Sequence, residues 1–256
     1  MDIKIIVAAH KPYAMPQDSM YLPLHVGAEG KEPFGFEGDN TGEHISEKNP
    51  TFCELTGLYW AWKNLDAEYI GLAHYRRHFG VTGRGEPMER VLTEQEANLL
   101  LEGKDGLLPN LRKYYIETLY DHYAHTCYVE PLDETGKIIK EKYPAYYAAF
   151  EALKTRRSAH MFNMFILRRD HLDAYCTWLF DILFELEKRV DASQYDAFHA
   201  RFFGRVSELL LDVWLSRQNL DLATAPVVNM EPVNWLKKGG SFLAAKLFGK
   251  KYGKSF

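Results

Sequence analysis

Cysteine is scarce in this chain of 256 residues: Cys53, Cys127 and Cys176 are an odd number without metal-type spacing. That pattern indicates neither a disulfide framework nor a zinc site, and it fits a reducing compartment. Long apolar runs are lacking too, since no charge-free stretch approaches the ~18 residues of a membrane span. The opening MDIKIIVAAH enters a strand pattern directly, without signal-peptide architecture, so a cytoplasmic protein is expected. No Gly-x-Gly-x-x-Gly, Walker A or Gly-x-Ser-x-Gly motif occurs. A dinucleotide enzyme, a P-loop ATPase and a standard α/β-hydrolase therefore lose support.

An excess of basic charge is also missing, with 31 Lys and Arg against 35 Asp and Glu for a net charge of −4, which argues against nucleic acid as a partner. The balance is uneven along the chain. Residues 237–256 hold six Lys and no acid, leaving 25 of the 31 basic groups to face all 35 acids over the rest. In and just before that tail Lys237, Lys238, Lys246, Lys250, Lys251 and Lys254 are mixed with Trp235, Phe242, Leu247 and Phe248. The blend is that of a segment lying on an anionic membrane surface, so a peripheral place on the inner face of the membrane is expected. What the chain has in quantity is aromatic surface, with 16 Tyr and 15 Phe.

Residues 3–9 form a near-continuous aliphatic run, the pattern of a buried parallel strand, and His10-Lys11-Pro12 ends it in a polar turn. Residues 13–49 show no sustained period and read as a binding loop. Thr51 and Glu54 have capping-box spacing ahead of a helical pattern through Leu55, Leu58, Tyr59 and Trp62. Thr93 and Glu96 repeat that spacing, with Gly103 as a stop, and Leu107-Leu108-Pro109 reads as a short strand. Residues 114–128 stay open between helix and loop. MFNMFIL, residues 161–167, reads as a core strand interrupted by Asn163. The spacing of Leu172, Tyr175, Leu179, Ile182, Leu183 and Leu186 predicts an amphipathic helix. A second helix is expected between Asp191 or Ser193 and Gly204, and a third through Val206, Leu209, Leu210, Val213 and Trp214.

The most informative segment is YIGLAHYRRHF, residues 69–79, an apolar strand pattern ending in His74, Arg76 and Arg77. The C-terminal ends of such strands are where α/β sheets bind ligands. Guanidiniums there stay charged and present donors suited to phosphate oxygens, although an isolated Arg pair is more often matched by surface acids. Alternation along a strand puts Arg76 on the side of His74 and turns Arg77 away, which makes Arg77 as much a structural as a ligand-facing residue.

The stretches VAAHKPYAMP, HVGAEG, GDNTGEHISEKNPTFCELTGLYWAWKN, YIGLAHYRRHF, AHMFNMFILRRD and YCTWLFDILFELEKR together resemble the domain of unknown function 4422 family, over about residues 3–214. Members of that family are bacterial capsular or exopolysaccharide glycosyltransferases, some associated with galactofuranose transfer. The resemblance implies an α/β fold, a glycosyltransferase-A-like single domain with a mostly parallel central sheet and a helical C-terminal region. Residues 1–229 would form the catalytic domain and residues 230–256 the basic tail. It further implies a nucleotide diphosphate sugar as donor, UDP-linked, and a saccharide acceptor that a lipid carries.

Under that implication His74, Arg76 and Arg77 become the donor-diphosphate contacts. Many glycosyltransferase-A enzymes hold a divalent metal there with Asp-x-Asp, and none occurs in this sequence. Direct neutralisation by Arg side chains is a physical substitute, so no metal ligands are assigned and no cofactor is expected to be required. His10, Lys11, Asp39 and Asn40 are expected to bind the nucleotide, although a loop Asp or Asn is more commonly a turn former. Asn163 is expected to contact sugar or acceptor, with His122 and His125 as polar lining of the same region. An inverting transfer needs a carboxylate base, and two are open: Asp121, beside those histidines, and Glu208, at the start of a helix with Arg201 and Arg205 close in sequence. A noncatalytic nucleotide-sugar or carbohydrate binding module is the alternative, which has no need to neutralise a diphosphate.

Overall fold

A computed structural model describes residues 1–232; the membrane-docking expectation, which rests on residues 235–254, lies outside them. Nine strands form the main sheet of the described residues. Its path runs β10 (Leu222–Ala225), β6 (Gly106–Pro109), β9 (Phe165–Arg168), β4 (Tyr69–His74), β1 (Ile3–Ala9), β2 (Tyr21–His25) and β3 (Glu37–Gly38). Pairings β1–β2, β1–β4, β2–β3 and β6–β10 are parallel, whereas β9 runs antiparallel between β4 and β6. Off this path β5 (Arg77–Phe79) pairs with β4, and β11 (Val227–Asn229) pairs with β5. A two-stranded ribbon joins β7 (Arg112–Lys113) to β8 (Ser158–Ala159).

The aliphatic β1 and β4 occupy the middle because both of their faces are covered, which is why their sequences are apolar runs and not alternating ones. Ile6 and Ala8 join one core with α2 (Leu55–Asn64), α7 (Arg169–Arg189) and α8 (Phe202–Leu215); Ile5, Val7 and Ala9 join a second with Leu92, Ala97 and Leu101 of the α3 region (Glu94–Leu101). Gly71 is required where β9 crosses closely, since a Cβ there would lie 2.8 Å from the Phe165 carbonyl oxygen. The helical layer is completed by α1 (Asn49–Phe52), α4 (Leu119–Thr126), α5 (Glu130–Lys142) and α6 (Pro144–Thr155). No helix of the described residues is long and apolar enough to cross a membrane.

Several expectations hold, among them β1, β6, the Thr93–Glu96 capping box of α3 and the 21-residue α7. Others are corrected. Residues 13–49 are not one loop, because YLPLH forms β2. Val26 N–H donates to Ala9, so by parity Pro23, which has no N–H, turns its nitrogen away from β1, and β3 pairs only from Leu24 onward. The Thr51–Glu54 helix breaks at Cys53 (φ 55°), so Glu54 closes no capping box; it stands at the N-cap position of α2 with no side-chain cap bond. Gly204 does not stop a helix: two 3-10 turns, Ala192–Gln194 and His199–Arg201, precede α8, which runs through it. Eleven buried residues on α8 outweigh the roughly 1 kcal/mol that an interior glycine costs.

Candidate functional site

The sheet brings its chemistry to one edge. His74 is the last residue of β4, His10 and Lys11 follow β1, and Arg112 lies just past β6. Since β9 is antiparallel, the turn before it, Phe162-Asn163, reaches the same edge. Both turn residues are left-handed, with φ of 76° and 53°, a conformation that Asn tolerates but that a bulky residue such as Phe162 holds only when its surroundings enforce it. The enforcement is visible: His74 Nε2 bonds the Phe162 carbonyl at 2.5 Å, while Asn163 Nδ2 donates to Glu54 Oε1 at 2.6 Å and to the Gly204 carbonyl at 2.9 Å. Asn163 is thus not in a strand, as the apolar run suggested, but in a turn that ties α8 to the Cys53 break. Its Oδ1 is buried and has no hydrogen-bond partner among the described residues.

The end of β4 also departs from simple alternation. The chain folds back after two residues, so His74 and Arg77 become directly opposed in register and share a side. Arg76 sits at the exposed tip, 3.7 Å from Glu231 and 5.3 Å from the Tyr75 ring centre. The expectation that Arg77 turns away is therefore reversed. Arg77 packs over the Phe162 ring at 4.6 Å, and Arg112 covers the same ring at 5.2 Å and Tyr114 at 4.9 Å. Among the described residues neither guanidinium has a carboxylate within ion-pair distance. Two guanidiniums sharing one ring with no counter-charge in contact form a site ready for an anion.

Facing them is Glu208, seven residues into α8 and not at its start, so the first-turn dipole account of this acid does not apply. Its carboxyl makes no hydrogen bond among the described residues. Burial first, and then the Glu54 charge, push it up to about 7 against the pull of Arg112, Arg77 and Arg205. A carboxyl that titrates near neutrality and is not tied down can take a proton at pH 7. Burial lowers His74 below its usual range despite the Glu54 charge and the Phe162 bond, so it serves as a neutral donor.

The remaining expected residues divide. Partial burial, followed by Lys11, Arg201, Arg76 and Lys31, lowers His10, which stands edge-on to Tyr75 at 5.2 Å, while Lys11 lies 5.6 Å over that ring. Asp39 is corrected: it is fully buried, accepting from Gly27 N–H (2.9 Å), Ala28 N–H (3.0 Å), Thr56 Oγ1 (2.6 Å) and the Ser46 hydroxyl. All its lone pairs are used within the fold, leaving none for a nucleotide. Asn40 is exposed and donates to Glu29 at 3.4 Å. Residues 119–126 are helical, with Thr118 as cap to the Asp121 N–H. Asp121 is thereby an exposed first-turn acid. His122 and His125 turn instead to buried Glu117, at 3.3 and 2.9 Å, and burial followed by Arg112 holds His122 neutral, down to about 3. No three His, Cys, Asp or Glu side chains among the described residues are grouped to hold a metal ion.

A family described as DUF4422, a domain of unknown function, matches residues 4–219. The chain belongs to that family. No curated protein matches it. Among solved structures, the WbbM bifunctional glycosyltransferase in its apo form is similar, with 30% sequence identity and a TM-score of 0.82 over 91% of this chain. The match spans 46% of the WbbM chain, so this DUF4422 chain corresponds to about half of that protein. The mixed α/β architecture, with its mostly parallel central sheet, is glycosyltransferase-A-like. Two residues at this edge carried no signal in the sequence, Glu54 and Arg112. Glu54 was absorbed into an apparent capping box, and Arg112 lies in a polar stretch whose fold carried no periodic signal.

Proposed function

We propose that this protein is a glycosyltransferase, moving a sugar from a nucleoside diphosphate donor, UDP-linked, to the hydroxyl of a saccharide acceptor in cell-surface polysaccharide synthesis. The observation that carries the reading is Glu208: a carboxyl pushed up to about 7, without a hydrogen-bond partner among the described residues and set against Arg77 and Arg112 at the ligand-binding edge of the sheet. The similarity to WbbM supports it.

In this reading Glu208 takes the proton of the acceptor hydroxyl as its oxygen bonds to the anomeric carbon. The bond from that carbon to the diphosphate oxygen breaks, and the electron pair leaves with the diphosphate. Arg77 and Arg112 receive the developing charge, Arg76 contributes from the rim, and His10 and Lys11 face the nucleotide, while neutral His74 spends its one N–H on the Phe162 carbonyl and holds that turn in place. The orphaned Asn163 Oδ1 is an acceptor for a sugar hydroxyl. Asp121, exposed on α4, is the less suited base.

Glu208→Gln tests the assignment. Turnover should fall by a factor of about 100 or more, with UDP affinity intact by calorimetry, while Asp121→Asn keeps most activity. Retained transfer by a folded Glu208→Gln protein would remove Glu208 from the chemistry. Because the guanidiniums occupy the place of a metal clamp, exhaustive chelation should leave most of the transfer rate. Complete loss that manganese or magnesium restores would overturn that part of the proposal.

A further inference from the structure

A cleft of about 360 Å³ opens between the α4–α5 junction and the 3-10 turns before α8, lined by Ala124, Cys127, Tyr128, Val129, Glu130 and Tyr195. Its chemistry differs from that of the cationic edge. The rings of Tyr128 and Tyr195 are 4.8 Å apart at 46°, and Tyr128 lies 4.4 Å from the His199 ring. Tyr195 donates its hydroxyl to Glu130 Oε2 at 2.8 Å. Ring faces beside a carboxylate and a hydroxyl suit a molecule with C–H faces and a hydroxylated rim, which describes a sugar ring. With Glu130 as the charged group of its lining and no cation there, the cleft suits a nucleoside diphosphate poorly.

The cleft is physically joined to the candidate base. Cys127, on its floor, accepts from Arg205 Nη1 at 2.7 Å, and Arg205 lies 3.9 Å over the Phe198 ring. Arg205 and Glu208 are three apart on α8 and so share a helix face, and the Arg205 charge acts on the Glu208 carboxyl. Arg205 therefore touches the cleft through Cys127 and acts electrostatically on the candidate base.

We propose that this cleft is the acceptor subsite, holding the non-reacting part of a saccharide chain on Tyr128 and Tyr195 while its terminal hydroxyl reaches Glu208. The inference rests on the glycosyltransferase reading, and Tyr128 is the specificity-determining contact.

The test uses the full chain and saturation-transfer NMR with methyl glycosides and linear trisaccharides of glucose, galactose, mannose and N-acetylglucosamine. At least one trisaccharide should bind the wild-type protein. Tyr128→Ala should weaken that binding about tenfold, the scale of one lost ring contact, with the melting temperature unchanged, and Tyr128→Phe should restore it. Tyr195→Phe, which keeps the ring and loses only the bond to Glu130, should give an intermediate loss. Failure of every saccharide to bind, binding indifferent to Tyr128→Ala, or displacement of the saccharide by UDP would overturn the subsite. Absence of UDP binding to the wild-type protein would instead bring down the functional reading, so the two failures are separable.

Discussion

The Glu208 carboxyl links activity and stability in opposite senses. Its folded-state value, about 7, stands above the 4.5 of a free glutamate, so between those values the folded protein binds more protons than the unfolded chain. The stability contributed is then fully present below about pH 4.5 and is lost as pH rises through 7. Glu208→Gln replaces an unpaired charge with a neutral isostere. The variant should therefore melt above the wild type at pH 8 and with it at pH 4, although it has lost turnover. Thermal unfolding across pH checks this, and a variant that melts lower at pH 8 would show that the carboxylate has a stabilising partner. The acid limb of the wild-type kcat/KM profile should fall with an apparent pKa near 7, because the base must be deprotonated.

At the scale of elements, the β4–β5 reversal decides which arginine matters most. Register places Arg77 across from His74 and over Phe162, while Arg76 points to the rim beside Glu231. Arg77→Ala should cost roughly 3 kcal/mol of transition-state stabilisation, about a hundredfold in kcat, and Arg76→Ala tenfold or less. Steady-state kinetics on the two variants separates them, and a larger loss for Arg76→Ala would put the diphosphate at the tip. The sequence showed that His74, Arg76 and Arg77 end a buried strand, because aliphatic runs are local. It could not show the reversal, since HYRRH carries no glycine or proline to mark a turn. Glu208 was likewise legible as a residue, but its depth within α8 was not. Gly204 resembles a helix stop, and only tertiary burial carries the helix through it. The left-handed Phe162-Asn163 turn was illegible for the same reason: an apolar run around one amide reads as a strand until its partners, Glu54 and Gly204, are placed beside it.

For the whole molecule, the distribution of charge bears on where the reaction takes place. The body carries the acids and the C-terminal tail six unopposed Lys, so the two ends of the chain answer differently to a negative surface. An acceptor carried by a lipid would put the substrate at such a surface, and each Lys close to it adds on the order of 1 kcal/mol of attraction. Screening shortens that attraction to about 8 Å at physiological salt. A chain truncated after Asn234 should accordingly lose salt-sensitive binding to vesicles of phosphatidylglycerol and phosphatidylcholine, measured by co-sedimentation, while transferring sugar to a short soluble acceptor at the full-length rate. Equal sedimentation of the two proteins would separate the tail from the membrane. Loss of soluble transfer on truncation would place it in the catalytic domain instead, since attraction to a surface has no part in a reaction that involves none.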